Sequence, residues 1–325
     1  MPSSRSSNAT PGSGVAASDL ALLLYLGAVW GAAFLFFRVA APEIGPVWTA
    51  EIRVAIAGLV LAAFTGRSAW RAARRQPVAI LVTGATFSAI PFTLLAFATL
   101  SLPASLASLI MATTPLFTAI VSAAWLRQRL SRGVIAGLVL GFGAVAFLLG
   151  GSPIEIGPST MLAFAAGLAA ALSYAFAGTW VRRHLADVAP LDLATGQLVA
   201  ATLILLPIAV ATGLPPVPSS AAAGSLVAMG VVSTAIAWPV YFRIAARTSA
   251  TAASSSTFVV PMFGIFWGGL VLGEHVGPEL LAGFALVIVS LVLVLRLPVP
   301  RPATVRVSLG RVVGRSSAAI GAALG

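Results

Sequence analysis

Apolar runs of about 20 residues, separated by short gaps, fill the sequence from Leu20 to Leu297. A helix of about 20 apolar residues is what crosses a hydrocarbon core of about 30 Å. The run from Val78 to Leu126 is too long for one helix, so we place a break near Ser101 to Pro103. The sequence thus predicts an all-α integral membrane protein with ten transmembrane helices. The predicted spans are 20–41, 47–65, 78–98, 103–126, 133–150, 160–181, 191–211, 221–242, 250–272 and 279–297.

The composition agrees with a lipid bilayer as the main partner of the chain. Hydrophobic residues make up 59% and charged residues 8%, with a mean hydropathy of +1.03, whereas soluble domains carry about 25% charged residues. The chain has no cysteine and two histidines, so we expect no disulfide, no metal site and no cofactor. It also has no Gly-Lys-Ser/Thr phosphate loop, which excludes direct coupling to ATP within this chain.

The positive charge predicts orientation. A net charge of +11 would suggest nucleic-acid binding in a soluble protein, but here the basic residues are arginines in the gaps between apolar runs. If the amino terminus is cytoplasmic, 17 of the 19 arginines fall in inner segments, as the positive-inside rule requires. We therefore expect no nucleic-acid partner and two cytoplasmic termini. The use of arginine alone, with abundant alanine and glycine, indicates a GC-rich bacterial genome, and we predict a location in a bacterial inner membrane.

Two tails flank the apolar region. Residues 1–18, rich in Ser, Gly, Pro and Ala, are predicted to form a disordered cytoplasmic tail. We do not expect them to be a secretory signal, because the first apolar run is longer than a signal peptide requires and has no clear cleavage site. Residues 298–325 are predicted to form a basic cytoplasmic tail. This tail either fixes the topology or rests on anionic lipid headgroups.

The sequence contains an internal repeat. A shift of 146 residues places 102–149 on 248–295 without a gap and matches Pro115 with Pro261. Low complexity inflates the alanine and leucine matches, but not the proline match.

A second block, at a shift of 144, places Pro46 on Pro190 and Arg53 on Gln197. We infer two halves, 19–150 and 159–297, each with five spans. Because five is odd, the halves enter the membrane with opposite polarity. Inverted repeats of this kind place a substrate site near the midplane and permit alternating access.

The order of these motifs resembles the drug/metabolite transporter superfamily, specifically its EamA-type members with two five-helix domains. The resemblance runs from about Leu22 to Leu295. It implies a secondary transporter of small metabolites that uses no ATP. Its carrying residues are Trp30-Gly31, Arg38, Pro46 with Arg53, Thr114-Pro115-Leu116, Pro190 with Gln197, Tyr241-Phe242, Val260-Pro261 and Leu272-Gly273-Glu274.

One departure from the family pattern concerns a Gly-Glu pair that such proteins usually carry in both halves. The first half has Arg127-Gln128 instead, and only the second half keeps Gly273-Glu274. If the acidic residue caps the helix that follows it, Gln128 is the weaker cap.

Two arginines within spans are candidate site residues, because an ionisable group is costly inside a membrane. Arg53 lies about 9 Å into the second span at 1.5 Å per residue. Either it forms an ion pair with Glu43, Glu155 or Glu274, or it contacts the substrate or a gate. Arg38 either extends to the outer interface or lines the site.

The two matched prolines form a second group of candidates. Pro115 and Pro261 lie near the centres of spans 4 and 9, where a proline kinks a helix and frees a carbonyl. With Thr114 and Ser256 beside them, the freed carbonyls would line a polar cavity. The alternative is close packing of helices through small residues.

Five aromatic side chains are candidates for facing the cavity, although lipid-facing positions are the alternative for each. Gln197 joins them because it takes the place of Arg53 in the second half. The aromatic candidates are Trp30, Phe92, Tyr174, Trp238 and Tyr241.

The charges indicate the substrate class. No aspartate lies within a span, and the nearest carboxylate is Glu51 at an outer end, whereas a proton-coupled exporter of cations needs a buried carboxylate. We therefore predict an exporter of amino acids or related carboxylate-bearing compounds, acting as a monomer or homodimer. The alternatives are a multidrug or cationic efflux transporter, a membrane-embedded enzyme and a non-transporting scaffold.

Overall fold

The computed structural model describes residues 17–127, 129–151, 157–247 and 256–296. All secondary structure in this part of the chain is helical, and two segments are π-helical. The elements are α1 (Ala17–Ile44), α2 (Pro46–Thr65), α3 (Arg67–Arg75), α4 (Pro77–Gly84), π1 (Ala85–Ala89), α5 (Ile90–Ser101), α6 (Ala104–Met111), α7 (Thr114–Leu126), α8 (Arg132–Gly151), α9 (Pro158–His184), α10 (Pro190–Ala211), α11 (Ser220–Gly230), π2 (Val231–Ile236), α12 (Ala237–Arg247), α13 (Ser256–Leu272) and α14 (Pro278–Arg296).

Eight helical stretches of the described residues are long and apolar enough to cross a membrane. They begin and end within a few residues of the first eight predicted spans, so the chain is a multi-pass membrane protein. The apolar helices Val259–Leu272 and Pro278–Val294 are shorter than 18 residues. Because the predicted ninth span starts within 248–255 and the tenth ends at 297, parts of both lie outside the described residues. The count of ten stays a prediction.

Proline and glycine set the ends of several helices. Helices α2, α4, α9, α10 and α14 each begin at a proline, which has no N–H to leave unpaired in the first turn. Gly45 and Gly213 have φ angles of 83° and 90°, and such left-handed backbone at a helix end strongly favours glycine. The predicted break near Ser101 is confirmed, because α5 ends there and α6 begins at Ala104.

Helix α1 begins at Ala17, at the end of the predicted amino-terminal tail. The rest of that tail and the whole carboxyl-terminal tail lie outside the described residues, as do Gln128 and Glu155.

Helix α3 was not predicted from the sequence. It is short and basic, with Trp70 61% exposed, and the Arg74 guanidinium lies 5.3 Å from the Trp70 ring. The Ser68 hydroxyl donates to Asp192 Oδ1 at 2.6 Å, which ties α3 to the start of α10.

The helices from the two parts of the sequence are interleaved around one core. Helix α2 packs against α10, α1 against α13, and α8 against α14. Small residues permit the close approaches. At Gly31, for example, a Cβ atom would lie 2.6 Å from the Phe263 Cβ and 2.8 Å from the Gly264 nitrogen. The buried hydrophobic residues that result form a main cluster with members from α1 to α14.

Candidate functional site

Arg53 lies at the centre of the candidate site and is 3% exposed. Its Nε donates to the Thr234 hydroxyl at 2.8 Å. Its guanidinium carbon lies 3.8 Å from the Phe92 ring centre and 5.0 Å from that of Phe37. The cation is therefore held by a hydroxyl and by two aromatic faces, which attract it through the ring quadrupole.

The predicted ion pair of Arg53 with Glu43 or Glu274 is wrong. Glu43 accepts hydrogen bonds from Ser219, and Glu274 accepts them from Ala104 and Ser105. Within the described residues no carboxylate pairs with Arg53. An uncompensated buried charge is costly, which makes the guanidinium a candidate for binding an anion.

Aromatic rings from four elements form a cluster beside Arg53, which we call the aromatic cluster. It consists of Trp30, Phe87, Tyr174, Trp238, Tyr241 and Phe242. Trp238 lies in the middle, with its ring centre 4.8 Å from Phe87 and 5.3 Å from Phe242. The Trp30 indole N–H donates to the Ser233 carbonyl at 3.0 Å, next to the residue that holds Arg53.

Four of the five predicted aromatic residues thus come together, and Phe92 lies under Arg53 instead. Sequence reasoning missed Phe37, Phe87 and Phe242, because hydropathy does not separate core-facing from lipid-facing phenylalanine.

Both π-helical segments contribute to this site. π1 supplies Phe87 to the aromatic cluster, and π2 supplies Thr234 to Arg53. A π turn inserts an extra residue into the helical register and is frequent at functional sites. The shift of 146 that defines the sequence repeat also relates Gly84 to Gly230 and Ser88 to Thr234. Extending that shift towards the amino terminus would have identified these positions.

The glycines before the two π segments pack in matching ways. A Cβ atom at Gly84 would lie 2.7 Å from the carbonyl oxygen of Gln197, and one at Gly230 would lie 3.4 Å from that of Arg53. Each π segment therefore starts next to the polar residue of the opposite half.

Gln197 and Ser88 correspond to Arg53 and Thr234, but they are not joined. Both are fully buried, and neither amide atom of Gln197 nor the Ser88 hydroxyl has a hydrogen-bond partner among the described residues. The buried indole N–H of Trp238 also has no hydrogen-bond partner among the described residues. Because an unpaired buried polar group costs about 1–3 kcal/mol, these groups are candidates for hydrogen bonds to a ligand.

Glu51 corrects an argument made from the sequence. It lies near one end of a span, as expected, but it is 3% exposed and its Oε2 has no partner among the described residues. The chain therefore does contain a buried carboxyl group, and the sequence-based reason for disfavouring a cation exporter no longer holds.

The proline group differs from the prediction. Pro115 does not kink a continuous helix, because the chain turns at 112–113 and α7 restarts at Thr114. The carbonyls of Ile110 and Met111 accept from the hydroxyls of Thr113 and Thr114, so neither is left free for a cavity.

Pro261 lies inside α13 as expected. Ser256 begins that helix, and its side chain is outside the described residues. No described hydrogen bond or ring contact joins either residue, or Pro115, to Arg53.

Arg38 has a structural contact instead of a place beside Arg53. Its Nη1 donates to the carbonyls of Thr99 at 2.7 Å and Leu100 at 3.2 Å. A cation favours the carboxyl end of a helix, where carbonyls lack intrahelical partners. Arg38 thus caps α5.

Glu274 caps a helix, but not the helix that follows it. Its carboxylate accepts from the backbone N–H of Ala104 at 2.6 Å and of Ser105 at 2.9 Å, at the start of α6. Glu43 similarly accepts from the Ser219 N–H at 2.8 Å, at the start of α11. Each contact joins the first half of the sequence to the second.

Comparison with known proteins gives the family. The model of the EamA-like transporter family matches residues 18–150 and again residues 161–296. The chain belongs to the EamA-like transporter family. This confirms the resemblance stated from the motifs.

Relatives of this EamA-like chain carry transporter names. A protein of Streptantibioticus cattleyicolor named "Probable terminal-alkyne amino-acid exporter" is 28% identical over 82% of this chain and 90% of its own length. "Uncharacterized transporter YvbV" of Bacillus subtilis is 27% identical over 84% and 90%. A solved crystal structure matches with a TM-score of 0.61 at 19% identity, covering 85% of this chain and 96% of that one. The last match supports the fold alone.

Proposed function

We propose that this EamA-like protein is a secondary transporter that exports amino acids or related carboxylate-bearing metabolites by alternating access. The observation that carries the proposal is Arg53, a buried guanidinium with no carboxylate partner among the described residues, beside the aromatic cluster. A substrate carboxylate would supply the missing anion through charge-assisted hydrogen bonds.

The neighbouring groups suit the rest of an amino acid. Aromatic faces attract an ammonium group and pack against an apolar side chain. Gln197 and Ser88 offer oxygens that accept from N–H donors and are otherwise unpartnered among the described residues. The amino-acid exporter name of one relative agrees with this substrate class.

Matching features in the two halves support the inverted ten-span architecture. π1 and π2, Gly84 and Gly230, and Arg53 and Gln197 correspond at shifts of 146 or 144. The equivalent helices α2 and α10 run antiparallel, since Trp48 near the start of α2 bonds Gly213 just after α10, whereas Ser68 just after α2 bonds Asp192 near the start of α10. The arginine distribution supports cytoplasmic termini in a bacterial inner membrane.

The test is transport by the purified protein in proteoliposomes, with a panel of amino acids, organic acids and cationic dyes. Arg53→Ala should lower kcat/KM for carboxylate substrates by about tenfold to a hundredfold, because it removes a hydrogen bond to a charged group. Arg243→Gln, which removes the charge of an exposed arginine, should leave transport unchanged. The proposal fails if nothing is moved, or if only cations move and Arg53→Ala has no effect.

Efflux of cationic compounds is the second candidate, because Glu51 is a buried carboxyl group within α2. On this alternative Glu51→Gln would abolish dye transport while Arg53→Ala would not impair it. The same panel therefore separates the two functions.

A further inference from the structure

Glu51 is a buried carboxyl group that the Arg53 site does not use. It is 3% exposed, and its Oε2 has no hydrogen-bond partner among the described residues. Arg53 follows two positions later on α2, about 200° around the helix at about 100° per residue. Residues at this spacing do not face each other, so Arg53 does not neutralise Glu51.

The register of α2 against α10 locates Glu51. The Trp48 indole N–H donates to the Gly213 carbonyl at 2.8 Å, while a Cβ atom at Gly58 would lie 3.6 Å from the Val199 nitrogen. Glu51 and Gly58 are two helical turns apart and lie on the same face. Glu51 therefore faces α10, towards the end of the protein where Gly213 lies. We call this end the Gly213 end.

No described titratable group on a packed neighbour is positioned to pair with Glu51. Helix α2 packs against α1, α3, α5, α10, α11, π1 and π2, and α5, α11, π1 and π2 carry none. On α10, Asp192 lies at the end opposite Gly213 and bonds Ser68. The arginines of α3 lie at that same end, because α3 follows the end of α2. They are Arg67, Arg71, Arg74 and Arg75.

On α1, three described groups are bonded elsewhere. Tyr25 donates to Val232, Arg38 caps α5 and Glu43 caps α11. Asp19, on the first turn of α1, has a side chain outside the described residues.

The physical consequence concerns charge. An ionised carboxylate without a partner is far more costly to bury than a neutral acid. Burial without a partner, as the structure shows it for Glu51, therefore favours the neutral acid over the carboxylate. If the helices around it separate and water enters, the carboxylate is hydrated and the proton leaves.

We propose that Glu51 is a proton-binding site that takes up one proton whenever the Gly213 end of the transporter closes and releases it to water when that end opens. An O–H bond forms on the carboxylate and no other covalent bond changes. The inference rests on the proposed function in one respect, since it requires that alternating access opens this end. It extends the proposed function by naming the coupling ion, because each closure of that end would bind one proton.

The experiment uses single cysteines, and the chain offers a background free of native cysteine. Ala222 on α11 is fully buried and lies about two helical turns before Gly230, which packs against α2. Val217, in the loop before α11, is 95% exposed. Labelling of Ala222→Cys by a maleimide in proteoliposomes reports opening, and Val217→Cys corrects for ionisation of the thiol.

The rate for Ala222→Cys divided by that for Val217→Cys should rise with pH by up to about tenfold per pH unit, as one linked proton allows. The sign follows from the closed state, which binds the proton more tightly, so that raising the pH favours the open state. Glu51→Gln, which mimics the neutral acid, should abolish the rise. A ratio that does not vary with pH, or an unchanged rise in Glu51→Gln, overturns the proposal.

A second measurement does not depend on either cysteine. The infrared spectrum of the wild-type protein should contain the carbonyl stretch of a buried protonated carboxyl group, and Glu51→Gln should lack it. An identical spectrum in the variant overturns the proposal. Neither measurement needs a substrate, so a failure of the amino-acid panel leaves this test intact. Conversely, if substrate is transported but neither the labelling ratio nor the infrared spectrum depends on Glu51, only the proton site is refuted and the proposed function stands.

Discussion

At the residue scale, two equivalent pairs of polar residues behave differently. The Thr234 hydroxyl accepts from Arg53 and donates to the Met229 carbonyl, so both of its hydrogen-bonding roles are used. Ser88 holds the matching position in π1, and its hydroxyl has no partner among the described residues. The first pair therefore stabilises the arrangement that the structure shows, whereas the polar groups of the second pair remain available to bind a ligand.

This difference predicts unequal effects of two conservative substitutions. Thr234→Val should lower the free energy of unfolding by about 1–3 kcal/mol, because it leaves the buried Arg53 donor unpaired. Ser88→Ala removes a hydroxyl that has no described bond to lose and should change stability little. Thermal unfolding in detergent measures both. Equal Tm values for the two variants would contradict the assignment of Thr234 as the partner of Arg53.

At the element scale, each π segment begins where a glycine packs closely against a neighbouring helix. Gly84 lies against the backbone of α10. A Cβ atom added at Gly84 would lie 2.7 Å from the carbonyl oxygen of Gln197 and 2.9 Å from the backbone nitrogen of Ala201. Neither atom belongs to a flexible side chain, so the contact has little room to relax. The hydropathy pattern predicts the helix over 78–98 but not the π turn, because one extra residue in a register hardly changes an apolar average.

Two glycine substitutions test this contact. Replacing glycine with alanine in a helix normally raises the free energy of unfolding by about 0.5–1 kcal/mol. Gly224→Ala on α11 should show this increase, because nothing lies within 4 Å of its added Cβ atom. Gly84→Ala should instead lower the free energy of unfolding by about 1–3 kcal/mol, because the added methyl group overpacks the contact. The comparison uses Tm in the same detergent. A Gly84→Ala variant as stable as Gly224→Ala would show that α4 and α10 are not in close contact.

At the scale of the whole molecule, carboxylates join the two halves of the sequence. Glu43 and Glu274 each cap a helix of the other half. In the proposed ten-span topology both lie on the outer side. If alternating access opens the outer side, as proposed, these contacts must separate, so they stabilise the arrangement that the structure shows.

The proposed orientation predicts which segments are accessible from outside the cell. Val217→Cys lies in a predicted outer loop, and Ala186→Cys lies in a predicted inner loop; both positions are exposed in the structure. An impermeant maleimide should label Val217→Cys in intact cells and Ala186→Cys only after the membrane is opened. Labelling of both from the same side would refute the topology.

The sequence by itself determined the apolar helices, the family and the burial of Arg53. These depend on local quantities: the length of an apolar run, the spacing of motifs and the depth of one residue in a span. Only the tertiary structure decided what surrounds each polar group. It gave Arg53 a threonine instead of a carboxylate, made Glu274 the cap of α6, and left Glu51 and Gln197 buried without described partners. The physical reason is distance along the chain, since Thr234 is 181 residues from Arg53. The period of a single helix carries no information about which other helix it will meet.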